Sequence, residues 1–339
     1  MRLLRHLLIA AAITSFASPS LAEPVALRLS TFVAPQAFSV KDVLVPWAEK
    51  VTSESNGELN VEVFAGGTLG RNPAGQMKQV TSGVSDIAWV LPGYTPGLFD
   101  QVTITEIPFL VNSSFEGSVA AWKMVESGAW TGQGFDQVKV LGIFTGTPSH
   151  FASTKEIHGA SDIPGMNVRG AGPEYLAMIK ALGGVPVGGI TGPTLAESLS
   201  RGLIEGTIND WLSLATFRAL DVVKYHIQLP LGTPCIMVVM NKEKYESLSD
   251  TAKAAIDSNS GLMFAKFFGD KFDGQDARIA EKAKGDSGRV VTVPTDEETQ
   301  MWRETLKPVA ENWKSRHPDG AELYAKFEAY LKQASAMQR

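Results

Sequence analysis

Apolar and polar positions follow two rhythms along this chain. Alternation with a period of two marks strands, and spacing at i, i+3, i+4 and i+7 marks one buried face of a helix. Val25–Phe32 alternates and reads as a strand. Val40–Ser55 reads as a helix, with Val43, Leu44, Trp47, Ala48 and Val51 on one face and Asn56-Gly57 as its stop. Glu58–Phe64 is a strand that turns Leu59, Val61 and Val63 inward. A helix closes over Met77–Gly83, and Asp86–Leu91 is the third strand. Trp122, Met124 and Val125 belong to a further helix, Val138–Phe144 is a strand, and Thr145–Ser153 is a polar crossing segment.

The most regular stretch is Asp162–Asn209, which reads as two consecutive β-α-β turns. Met166–Gly170 is a short strand carrying one cation, Arg169. Pro173 and Glu174 open a helix, because proline suits the first helical position and an acid suits the positive helix start. Tyr175, Met178, Ile179 and Leu182 form its buried face, and Gly183-Gly184 stops it. Val185–Val187 is the next strand, Leu195 and Leu199 mark a second helix, and Ile204–Ile208 runs into Asn209. Beyond it, Ile227–Gly232 and Cys235–Met240 read as strands, and Glu243–Gly285 is a long helical pattern with an apolar stripe at Leu262, Met263, Phe264, Phe267 and Phe268. Val290–Val293 is a last strand, two helices follow, and the polar tail from Lys332 is expected to fray.

Strands joined by helices in this way form parallel sheets, so the expected class is α/β. Such sheets hold ligands at the carboxyl ends of their strands. Arg169 and Asn209 each lie at such an end, as does Pro92-Gly93-Tyr94 after the third strand.

The residues D-x-x-G-x-x-x-R (Asp162–Arg169), LGGVPV (Leu182–Val187) and G-x-x-E-G-x-x-N (Gly202–Asn209) carry a specific resemblance. The chain resembles the solute-binding proteins of TRAP (tripartite ATP-independent periplasmic) transporters, the DctP-like family. Ile107-Pro108-Phe109-Leu110 and the start of a helix at Ser249 resemble the family too. The resemblance implies a two-lobed binding fold, each lobe a mostly parallel sheet flanked by helices, with a long helix crossing both. It places residues 23–148 and about 235–270 in lobe I, and 149–234 and about 271–339 in lobe II. It implies that Arg169 pairs with a ligand carboxylate and that Asn209 helps to hold it.

Further wall positions follow from the resemblance: Leu91 and Tyr94 after the third strand, His150 and Phe151 at the crossing, Trp211 beyond Asn209, and Trp89, which shares strand parity with Leu91. Gly192 completes the candidate set. Trp89 and Trp211 can also be read as core, and His150 as a surface loop residue. Sugar-acid binders of the family carry charges near these positions; here none does, unless His150 is protonated. The expected ligand is therefore a monocarboxylate with an apolar or aromatic body. The expected partners are that small molecule and the membrane permease subunits. A monomer is expected, with no cofactor and no metal. Two other readings stay open: a binding protein for an ATP-driven importer, and a receptor reporting ligand to a membrane sensor.

Composition fits this reading. A length of 339 residues accommodates two domains. Residues 1–22 read as a secretory leader, with Arg2 and Arg5, an apolar run Leu7–Phe16, and Ser20-Leu21-Ala22 as the cleavage site. Mature protein is then expected in the periplasm, beginning at Glu23. The formal net charge of −5, without a basic cluster, argues against nucleic acid. The single cysteine, Cys235, permits no internal disulfide and sits in an apolar run that reads as a buried strand. His6, His150, His158, His226 and His317 show no metal-ligand spacing, and no G-x-S-x-G or P-loop is present. An enzyme has no residues to stand on here.

Overall fold

The computed structural model describes residues 23–338, so the leader read at 1–22 lies outside the described residues. Eleven strands are β1 (Val25–Ser30), β2 (Leu59–Phe64), β3 (Ile87–Val90), β4 (Val138–Thr145), β5 (His150–Ser153), β6 (Asn167–Arg169), β7 (Val185–Val187), β8 (Gly206–Asn209), β9 (Tyr225–Ile227), β10 (Cys235–Asn241) and β11 (Val290–Thr292). They build two mixed sheets flanked by helices. The first has the order β2-β1-β3-β10-β4, the second β11-β9-β5-β8-β6-β7.

The β-α-β units supply the parallel pairs of β1 with β2 and β3 in the first sheet and of β6 with β7 and β8 in the second, and β11 joins β9 in parallel at that sheet's edge. The antiparallel pairs involve the strands next to the crossings. β10 runs against β3 and β4, and β5 runs against β8 and β9. β3 and β10 are buried on both faces. Ile87 and Trp89 join one core and Ala88 and Val90 the other, and Ile236, Val238 and Met240 alternate likewise with Cys235, Met237 and Val239. That two-sided burial explains why Cys235–Met240 is a continuous apolar run rather than an alternating one.

Two segments, between β4 and β5 and between β9 and β10, pass between the lobes side by side, and Thr105–Phe109 of the first lobe lies along the second of them. Gly146 and Ser149 donate backbone hydrogen bonds to Pro234 and Gly232, Thr233 donates to Thr105, and Phe109 donates to Pro230. The long helix Gly261–Lys284 is the other link. Phe264, Phe268 and Phe272 pack into the first lobe's core, Ala283 packs into the second's, and Ile279 touches both.

The structure corrects several expectations. The crossing segment Thr145–Ser153 contains β5, hidden because His150 and Ser153 are polar yet buried. The strand read at Ile227–Gly232 lies upstream, at Tyr225–Ile227, since Pro230 has no N–H for a ladder. The helical pattern of Glu243–Gly285 is three helices, Lys242–Glu246, Asp250–Ser258 and Gly261–Lys284. Asn241 caps the first by accepting from Lys244 N–H, and Ser249 caps the second by accepting from Ala252 N–H. The tail from Lys332 is not frayed. The last helix runs Gly320–Met337 and buries Leu323, Phe327 and Leu331, one turn apart. Although residues from 271 onward were read with the second lobe, this apolar stripe packs against the core beneath β3, β4 and β10 of the first.

Candidate functional site

Arg169 ends β6 with its side chain almost fully enclosed, at 1% exposure. Its guanidinium is held from three sides. Nε donates to the Ile190 carbonyl at 2.9 Å, Nη1 to Asn209 Oδ1 at 3.1 Å, and Nη2 to Tyr94 Oη at 3.1 Å. Among the described residues no carboxylate forms an ion pair with it. Its acidic neighbours are poor counter-ions. Burial, with the Glu174 charge second, pushes the Glu106 carboxyl well above the usual range, and burial raises Asp210. A buried cation without a partner is costly, and an anion brought to it relieves that cost.

Hydrogen-bond counting shows what Arg169 and its neighbours can still do. A guanidinium has five N–H groups; three are used, which leaves two. Asn209 Oδ1 already accepts from Arg169 and from Thr207 Oγ1 at 2.6 Å, so the amide's own N–H groups are its free function. Tyr94 Oη accepts from Arg169 and, at 2.8 Å, from the backbone N–H of Gly192, which leaves its proton free to donate. Every acceptor is spent, and the functions left at this end of the cleft are donors. Gly192 also opens the helix Gly192–Ser200, whose positive start adds to the same field. Any side chain at Gly192 would meet the Phe217 ring, since a Cβ there would lie 2.4 Å from it.

A cavity opens in front of this array, between the lobes. Arg169, Asn209, Tyr94, Gly192, Leu91 and Trp89 all line it. The rest of its wall lies outside the residues the sequence points to: Phe32, Val33 and Ser39 after the first strand, Ala171 beyond Arg169, Leu212, Ser213, Thr216 and Phe217 from the helix after Asn209, Gly146, Pro234 and Ile236 at the crossing, and Phe272 of the long helix. Phe272 had a signal, as it extends the stripe of Phe264 and Phe268 by one turn. Trp89 is wall and core together, stacking edge-on to Phe144 at 5.1 Å.

His150, Phe151 and Trp211 do not line the cavity. β5 lies beyond β8 as seen from β6, so its side chains stand a strand further from Arg169. Phe151 is enclosed in the second lobe's core. His150 Nε2 and His226 Nδ1 are 2.9 Å apart, and Arg289 Nη1 lies 3.1 Å from His226 Nε2. Trp211 stacks on both imidazoles, at 4.1 and 4.4 Å, and donates to Gln228 Oε1. Burial, with His226 beside it, holds His150 well below the usual imidazole range. It is therefore neutral near pH 7 and is no second cation for a ligand.

A wider groove lies on the surface between Ile107–Asn112 and the last two helices. Its rim alternates Arg303, Lys307, Lys314 and Lys332 with Glu304, Glu311 and Glu328, so neither sign prevails and no donor set converges. Among the described residues there is no cluster of His, Cys, Asp and Glu able to hold a metal.

The sequence model of bacterial extracellular solute-binding protein family 7, DctP, matches residues 29–316. The chain belongs to this family. Its members bind solutes and are not enzymes, and the TRAP solute-binding proteins among them take up small carboxylates and work with membrane permease components. Among the described residues no helix is long and apolar enough to cross a membrane, in keeping with an extracytoplasmic family. A TRAP solute-binding protein from a marine metagenome, specific for aromatic acids and solved with 3-hydroxybenzoate, is 32% identical; the match covers 92% of this chain and 99% of that one, with a TM-score of 0.86. One from Rhodoferax ferrireducens, solved with benzoate, is 27% identical over 93% of this chain and all of its own, with a TM-score of 0.87. The curated relative TsaT of Comamonas testosteroni, described as an outer membrane transporter protein, is 26% identical over 98% of both chains.

Proposed function

We propose that this DctP-family protein captures an aromatic monocarboxylate in the periplasm and delivers it to a TRAP permease. The observation that carries the reading is the buried, unpaired Arg169 facing an aromatic-walled cavity, with the free donors of Asn209 and Tyr94 beside it. The two free guanidinium N–H groups, the Asn209 amide and the Tyr94 hydroxyl would meet the carboxylate. Charge-assisted bonds of this kind are the strong ones, and the planar fork matches two oxygens. Trp89, Phe32, Phe217 and Phe272 would enclose the ring, where offset or edge-on contacts add to burial. No second cation lines the cavity, which disfavours dicarboxylates. Relatives solved with 3-hydroxybenzoate, benzoate and mandelate support the same class of ligand.

The test is calorimetric titration of benzoate and benzamide against wild type and Arg169→Ala. Leaving one member of a buried charge pair alone costs roughly 3–5 kcal/mol, so affinity for benzoate should fall by about two to four powers of ten. Arg169→Lys should recover only part of it, and benzamide should bind wild type poorly. A folded Arg169→Ala protein that binds benzoate like wild type overturns the assignment.

A further inference from the structure

Beyond the donor array, the cavity shows three hydroxyls on serine and threonine: Ser39, Ser213 and Thr216. Ser213 is engaged, since its Oγ donates to Asp210 Oδ2 at 2.8 Å. Ser39 is different. It is 94% enclosed, with 6% exposure, and its hydroxyl has no hydrogen-bond partner among the described residues. A serine inside a helix can bond back to a carbonyl one turn earlier. Ser39 instead opens a π-helical segment, Ser39–Leu44, a widened turn of a kind frequent at functional sites. Its neighbour Phe38 packs edge-on to the cavity wall Phe272, at 6.1 Å between ring centres. Ser39 thus belongs to the first lobe's wall, while Arg169 and Asn209 belong to the second's.

We infer that the ligand carries a hydroxyl as well as its carboxylate, and that Ser39 is the residue that reads it. The inference rests on the carboxylate reading above and narrows it to hydroxy-substituted aromatic monocarboxylates. A serine hydroxyl both donates and accepts, as a phenol does. An unsubstituted ring in the same place leaves the Ser39 hydroxyl dry and unmatched, the situation in which polar sites discriminate most sharply. A second carboxylate would need a cation, and none stands on that wall. The two groups of the ligand are then held by opposite lobes, and the ring lies between.

The experiment is calorimetric titration of benzoate, 3-hydroxybenzoate and 4-hydroxybenzoate against wild type, Ser39→Ala and Thr216→Val, with thermal melts as the folding control. Wild type should bind one hydroxylated acid about tenfold more tightly than benzoate, the step expected of one well-made hydrogen bond. Ser39→Ala should bring that preference to within about twofold, and Thr216→Val should keep it. Wild type without a preference, or a preference that survives Ser39→Ala, overturns the inference while the carboxylate reading stands. A preference lost in Thr216→Val instead moves the contact to that residue and overturns the role of Ser39. Wild type that binds none of the three acids removes the carboxylate reading and this inference together.

Discussion

At the scale of single residues, Tyr94 is the polar contact that joins the lobes at the site. It follows β3 of the first sheet, yet its hydroxyl accepts from Arg169 and Gly192 of the second lobe. Tyr94→Phe keeps the ring, which sits 6.1 Å from Phe32, and removes only the oxygen. Two donors then lose their acceptor, and the ligand loses one donor. A hydrogen bond to a charged group contributes about 1.5–3 kcal/mol, so benzoate affinity should drop roughly ten- to a hundredfold. Isothermal titration reads this directly; a change below twofold would reduce Tyr94 to packing. Arg169 and Asn209 were legible as lone polar residues ending apolar strands. Ser39 was not, because a serine among apolar neighbours looks the same whether its hydroxyl is satisfied or not.

At the scale of elements, the long helix Gly261–Lys284 clamps both lobes with two aspartates one turn apart. Asp273 accepts from the N–H groups of Ser114 and Phe115, opening a first-lobe helix, at 2.7 and 2.9 Å. Asp276 accepts from Leu212 N–H at 2.7 Å, opening the second-lobe helix after Asn209. Burial, then the nearby Asp210 carboxyl, pushes Asp276 up to about 7. An ordinary aspartate titrates near 4. The fold therefore favours the protonated acid, and the stability this confers is complete below about pH 4 and lost as pH rises through about 7. Asp276→Asn keeps an acceptor for Leu212 and removes the titration. Thermal melts from pH 4 to 8 should show wild type losing stability relative to Asp276→Asn as pH rises. Parallel curves would show that Asp276 ionises as it does in the unfolded chain. The clamp was invisible in the sequence, where both aspartates look like the wet face of a helix.

At the scale of the whole molecule, two adjacent segments and one long helix connect two sheets around the cavity. Gly146, Pro148, Pro230, Gly232 and Pro234 punctuate those segments, so bending is confined to short stretches between ordered strands. Binding of benzoate should close the lobes, and small-angle scattering with and without saturating benzoate should show a smaller radius of gyration. An unchanged radius with calorimetrically confirmed binding would rule out closure on the ligand.

The sequence by itself determined the elements whose physics is local. The apolar periods, the helix starts at Pro173 and the stops at Gly183 and Gly202 placed the β-α-β units, and parallel topology then put Arg169 and Asn209 where ligands lie. Tertiary structure decided what depends on which strand becomes whose neighbour. Inserting β5 beyond β8 turned His150 and Trp211 from candidate walls into a neutral stack behind the site. The return of the last helix to the first lobe, and the approach of Tyr94 to Arg169, join residues far apart in the chain. Such contacts are chosen by packing between faces, and one chain read in order carries the faces but not their pairing.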